Sequence, residues 1–233
     1  MPLVSEIKVL STHAVVEVLA ELAPAFERAN SCTLSFSYNP TAVAQREIES
    51  GTAFDVAVII KSALEELAAR GMILQDSCIE LARCGLGVSV RAGAKKPDIS
   101  SVDKFKRTLL EAKSVVRSRD GASGKAFEAL LERLGITEEL HDKIVIGPAG
   151  RIAELVARGE GELAVQQVPE LVPVKGADYI GPWPHELQTY SLFGAGISAA
   201  SKQRAAAQAF IAALTAPANA ALYIAKGLEP AAR

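Results

Sequence analysis

Ser11, Thr12 and His13 interrupt a short apolar run over residues 7–10 just before a helical pattern begins. Val15, Val18, Leu19, Leu22 and Phe26 recur at the spacing of one helix face. Two hydroxyls and an imidazole therefore stand beside the first turn of a helix, where unpaired N–H groups and the helix dipole favour negative charge. Such a loop can hold an anion with little side-chain charge. Hydroxyls recur after later elements at Thr41, Ser62 and Ser123; simple helix capping, the commonest use of Ser and Thr, would not require that recurrence. Near a helix N-terminus the cationic form of His13 is disfavoured, which leaves a neutral imidazole able to donate, accept or take a proton.

Cations fall at comparable places. Lys61 and Arg119 follow expected strands, at the carboxyl ends where open α/β sheets hold ligands. Arg151 opens a helix after Gly147-Pro148-Ala149-Gly150, where the dipole disfavours a positive charge unless an anion compensates it. Gln166 and Gln167 end another strand, and strand periodicity sends them to opposite faces.

Other chemistries lack their residues. The run 121–126, GASGKA, has Arg119 where a phosphate loop needs its first glycine and Ala126 where it needs Ser or Thr. Gly85-Leu86-Gly87 starts a dinucleotide fingerprint, but Val90 holds the third glycine position. No Gly-x-Ser-x-Gly elbow occurs. His13, His141 and His185 show no metal-ligand spacing with one another or with Cys32, Cys78 and Cys84, so neither a metal nor a cofactor is expected. Free thiols are the expected state of the cysteines, with a Cys78–Cys84 pair as the alternative.

These residues need elements to position them. Strand-like runs lie at 7–10, 33–37, 56–60, 85–90, 115–117, 144–146, 163–166 and 194–199. Helical patterns cover 15–29, 42–50, 63–70, 102–112, 125–134, 151–158, 202–215 and 218–226. That alternation predicts α/β architecture with mostly parallel sheets covered by helices. Two Gly-punctuated segments, 81–90 and 190–198, break the rhythm and read as crossover strands joining two lobes. One lobe comprises residues 1–82 with 191–233, the other 83–190. The single doubly wound sheet is the alternative.

With 233 residues, a net charge of −2 and 5% aromatics, nothing in the composition suggests a nucleic-acid partner. No apolar run is long enough to span a bilayer, so no membrane insertion is expected. The first residues lack a secretory signal; the expected location is periplasmic if an export signal has been removed and cytoplasmic if Met1 is the native start.

The chain resembles the periplasmic molybdate-binding type of solute-binding protein from ABC transporters. The resemblance rests on LAPAFE at 22–27, IESG at 48–51, FDVAV at 54–58, LGI at 134–136, ELVARGE at 154–160 and AKGLEP at 225–230. It implies a type II periplasmic-binding-protein fold whose lobes close by a hinge on a small anion, with a partner permease and recognition without chemistry. By position it implies ligand contacts at Ser11 and Thr12, Asn39 and Thr41, Ser62, and Ser123 with Gly124. Where the family offers a tyrosine, this chain has Gln166-Gln167. Together with Lys61 and Arg119, those amides suit an organic carboxylate better than a tetrahedral oxyanion, since Lys and Arg make charge-assisted bonds to carboxylates. Aconitate isomerase resembles the same family. Isomerisation of a tricarboxylate, with His13 as base and Lys61 and Arg119 fixing carboxylates, is therefore the enzymatic alternative. A cytosolic ligand sensor is a third reading.

Overall fold

The computed structural model describes residues 5–119, 121–148 and 150–231. The first four residues, on which the export reading turns, and Ala149 of the loop before Arg151 lie outside them. The chain divides into two compact units, 1–83 with 192–233 and 84–191.

In the first unit, β1 (Ser5–Ser11), α1 (Val16–Asn30), β2 (Cys32–Tyr38), α2 (Thr41–Glu49), β3 (Val56–Ile60) and α3 (Lys61–Ala69) alternate regularly before β4 (Ile79–Cys84). In the second, β5 (Leu86–Arg91), α4 (Val102–Glu111), β6 (Val115–Ser118), α5 (Ala122–Leu134), α6 (Thr137–His141) and β7 (Ile144–Gly147) come first. They are followed by α7 (Ala153–Arg158), β8 (Leu163–Gln167), α8 (Val168–Leu171) and β9 (Ala177–Pro182). The chain returns to the first unit with β10 (Ser191–Ile197), α9 (Arg204–Leu214), α10 (Ala220–Ala225) and β11 (Glu229–Pro230).

The sheet orders are β11-β4-β10-β3-β1-β2 and β7-β6-β8-β5-β9. Both are mixed, with fewer parallel pairs than the sequence rhythm suggests. β1 pairs in parallel with β2 and β3, and β6 with β7 and β8. β10 runs antiparallel to β3, and β5 antiparallel to β8 and β9. The reversed strands are those that enter or leave a unit, because a strand arriving from outside is not bound to the βα crossover that keeps its neighbours parallel.

The segment 81–90 forms two strands in different sheets, broken at Gly85. A Cβ there would lie 2.9 Å from the Gln188 side chain, whose Oε1 accepts from Leu86 N–H at 2.7 Å. The smaller elements α6, α8 and β9 escaped the sequence reading. Two are single helical turns, and β9 is an edge strand in which Asp178, Gly181 and Pro182 obscure any alternation.

Each sheet is covered on both faces, which is why strands such as β3 are continuously apolar. In the first unit Leu10, Ala57 and Ile59 pack with Ala44, Ile48, Leu64 and Leu67 of α2 and α3. Phe26 of α1 and Phe210 of α9 meet at 5.1 Å, and Phe36 of β2 also contacts Phe210. In the second, Val115 faces a core with Phe105, Phe127 and Trp183, while its neighbour Val116 faces Ile152, Val156 and Leu171. The three cysteines are free thiols. No helix among the described residues is by itself long and apolar enough to cross a membrane.

Candidate anion-binding stations

Both sheets end in loops rich in polar atoms. In the first unit, β1 and β3 finish side by side. Thr12 N–H donates to Val58 O at 3.1 Å, and Asn39 N–H to Ser11 O at 2.9 Å. Ser11 is fully buried and Thr12 is 6% exposed. A short 3-10 turn, His13–Val15, precedes α1, and no side chain caps either element. The capping reading of Thr12 therefore fails. Ser11 Oγ donates to Thr12 O at 3.3 Å, whereas Thr12 Oγ1 is buried with no hydrogen-bond partner among the described residues. Leaving a buried hydroxyl unsatisfied costs about 1–3 kcal/mol, so such an atom calls for a reason.

Neighbouring candidates have structural work. Thr41 Oγ1 accepts from Ile60 N–H at 3.3 Å and ties α2 to the end of β3. Asn39 Nδ2 donates to both carboxylate oxygens of Glu47 at 3.2 Å. Lys61 is the first residue of α3 and ion-pairs with Glu65 at 3.5 Å and Glu80 at 3.4 Å, which raise its pKa. The cation expected to face a ligand carboxylate thus already has two carboxylates of the protein beside it. Ser62 is exposed beside it, and His13 is half-buried.

The second unit gathers its candidates at the ends of β6, β7 and β8. Helix α5 starts at Ala122, three residues earlier than its pattern suggests, which draws Ser123 and Gly124 into the first turn and buries both. Ser123 Oγ lies 3.2 Å from Ser118 Oγ. A Cβ on Gly124 would meet Ser118 O at 2.2 Å, so glycine is required there for helix–strand approach. Arg119 is exposed next to this turn.

Gln166 and Gln167 diverge as strand periodicity demands. Gln167 Nε2 donates to Ser191 Oγ at 2.8 Å. Gln166 is 1% exposed and spends its amide inside the protein. Its Oε1 accepts from Ile152 N–H at 3.2 Å; its Nε2 donates to Gly150 O and, at 2.8 Å, to Glu170 Oε2. Gln166 thereby fixes the turn that carries Arg151. Arg151 itself is half-buried. Ser118, Gln188 and Glu170 are the polar residues sequence reasoning missed. Glu170 is embedded in a Val-Pro-Glu-Leu turn whose apolar neighbours were the one hint of its burial.

Among the described residues no group of three or more His, Cys, Asp or Glu could hold a metal ion. What the two stations offer is backbone N–H groups, hydroxyls and guanidinium groups, all donors suited to an anion.

Comparison with known proteins agrees with this architecture. Aconitate isomerase from a Pseudomonas species is 34% identical over 234 residues, covering 97% of this chain and 88% of that protein. The periplasmic molybdate-binding protein of Azotobacter vinelandii matches with a TM-score of 0.80 at 20% identity, over 95% of this chain and 98% of that one. The sulfate-binding protein of Mycobacterium tuberculosis gives 0.78 at 17% identity, over 97% and 87%. The two structures share the fold. A family model for bacterial extracellular solute-binding proteins matches residues 7–229, and the chain belongs to that family.

Proposed function

We propose that this protein binds a small anion, an organic carboxylate in preference to a molybdate-type oxyanion, and delivers it to an ABC permease. The observation that carries the reading is the buried hydroxyl of Thr12, just after β1 and without a hydrogen-bond partner among the described residues, beside the fully buried Ser11. A hydroxyl held in that state is poised to donate to a ligand oxygen. Thr12, His13 and Ser62 supply the first unit's side-chain donors, and Ser11, whose hydroxyl already donates to Thr12 O, shapes the loop. Arg119 and Arg151 supply positive charge in the second. Asn39, Thr41, Lys61, Ser123, Gly124 and Gln166 shape those loops.

A second reading is favoured by the aconitate isomerase relative: turnover of a tricarboxylate on the same residues. Allylic isomerisation needs a base to take a proton from carbon and return it elsewhere. His13, next to Thr12, is the candidate.

A thermal-shift screen with molybdate, tungstate, sulfate, phosphate and di- and tricarboxylates tests the first reading, since a ligand of the native state raises its melting temperature. Stabilisation by carboxylates supports it. Stabilisation by molybdate or tungstate alone would overturn the carboxylate preference, and no response to any of these anions would overturn anion binding. NMR of aconitate incubated with the protein, and with His13→Ala, tests turnover. Conversion by the wild type that is lost in the variant supports it, and an unchanged spectrum rejects it.

A further inference from the structure

The sheet end of the first unit away from Thr12 holds a cavity of about 500 Å³. It meets β1 at Lys8 and β3 at Asp55, just before that strand begins, whereas Thr12 follows the last residue of β1. None of the candidate residues above lines it. Its floor is the open edge of a core. Ile48 and Phe54 belong to the cluster that also holds Leu10 and Ala57, and Met72 packs against it.

A buried carboxylate fixes the wall. Asp55 is 9% exposed; its Oδ2 accepts from Lys8 N–H at 2.9 Å and its Oδ1 from the Ser201 hydroxyl at 2.5 Å. Ser198 N–H donates to Asp55 O at 2.9 Å and Ala199 N–H to Met72 O at 3.0 Å, which ties the segment after β10 to the facing loops. Both Asp55 carboxylate oxygens are thus engaged inside the protein. Two ammonium groups, of Lys8 and Lys202, line the same cavity, and neither forms an ion pair among the described residues.

We propose that this cavity is a second ligand site, for a medium-chain carboxylate with its head at Lys8 and Lys202 and its tail over Ile48, Phe54 and Met72. Size and lining agree with that use. Small-ligand sites are concave, about 300–1,000 Å³ in volume, and mostly apolar, with a few polar groups that fix orientation. Two cations against one internally satisfied carboxylate favour an anionic head. The apolar floor favours a hydrocarbon tail, which neither molybdate nor aconitate carries. The proposal goes beyond the anion-binding reading and does not depend on it.

NMR titration of the isotopically labelled protein with butyrate, hexanoate, octanoate and octanol locates and ranks the binding amide by amide. Octanoate is expected to shift the amides of residues 51–55, 71–72 and 198–202, with affinity rising about two- to fourfold per methylene along the carboxylate series. Replacing both exposed lysines, Lys8→Gln with Lys202→Gln, should weaken octanoate about three- to tenfold, and octanol should bind the wild type more weakly by a similar factor. Ala200 is an exposed lining residue, so Ala200→Phe should fill the opening and abolish the shifts while the melting temperature stays close to that of the wild type. The lysine variant reads the site even if Ala200→Phe does not fold. Octanoate shifts confined to other amides, a flat chain-length series or shifts retained in folded Ala200→Phe would overturn the site. Octanol binding as tightly as octanoate, or full affinity in the lysine variant, would overturn the anionic class of its ligand.

Discussion

Thr12 of the first unit and Gln166 of the second are both buried polar residues at a strand end. The Thr12 hydroxyl is left without a partner among the described residues, while the Gln166 amide makes three hydrogen bonds within the protein. The polar loop of the first unit keeps the Thr12 hydroxyl unpaired, whereas the second unit uses the Gln166 amide to hold a backbone turn and the arginine it carries. Residues with identical promise in a sequence thus divide into those whose polar atoms stay unpaired and those that place other groups. The deciding observation is whether their hydrogen-bonding capacity is already used.

If the second unit's station is rigid, its tightest contact should be the least forgiving. Gly124→Ala places a Cβ 2.2 Å from Ser118 O. The expected loss is about 2–3 kcal/mol, a fall in melting temperature of about 5–10 °C. An unchanged melting curve would mean that α5 can shift and that the contrast in rigidity is wrong.

An effect graded with pH follows from Glu170. The folded protein holds its proton, and the unfolded chain releases it at the ordinary value of 4.5. Stability is therefore lost as pH rises between 4.5 and about 8, by up to about 1.4 kcal/mol per unit. Glu170→Gln should remove that slope, so its melting temperature gains on the wild type across the window. Parallel profiles would show that Glu170 is already ionised in the fold.

The smallest effect is expected at Lys61. Its partners, Glu65 and Glu80, are solvent-exposed. Lys61→Gln should change stability by about 0–1 kcal/mol and carboxylate affinity by less than about threefold. A larger loss for carboxylates than for molybdate would return Lys61 to the ligand and blur the contrast between the two units.

Much of the fold could be read from periodicity. Apolar runs such as 56–60 and the helical stripe from Val15 to Phe26 report burial that any packing partner would satisfy. Strand direction could not be read, because Gly85–Val90 and Gly194–Ile197 look alike whichever way their neighbours run. The candidate loops were legible as strand-to-helix transitions bearing Ser, Thr and cations. Their division of labour was not, since it depends on hydrogen-bond and ion-pair partners that only the folded chain brings together. Lys61 meets Glu80, Ser123 meets Ser118, and Gln166 meets the 150–152 turn and Glu170. Gly124 matched a ligand-binding turn by position, while the structure requires glycine there for close packing.

The central claim is that the first unit holds a hydroxyl in reserve for an anion. Thr12→Val tests it most directly, because valine keeps the shape and removes only the oxygen. Calorimetric titration with aconitate, alongside thermal melting of the free protein, should show a loss of about five- to thirtyfold in affinity, or about 1–2 kcal/mol. The free variant should be as stable as the wild type or more so. Unchanged affinity, or a loss of stability in the free protein, would contradict the account.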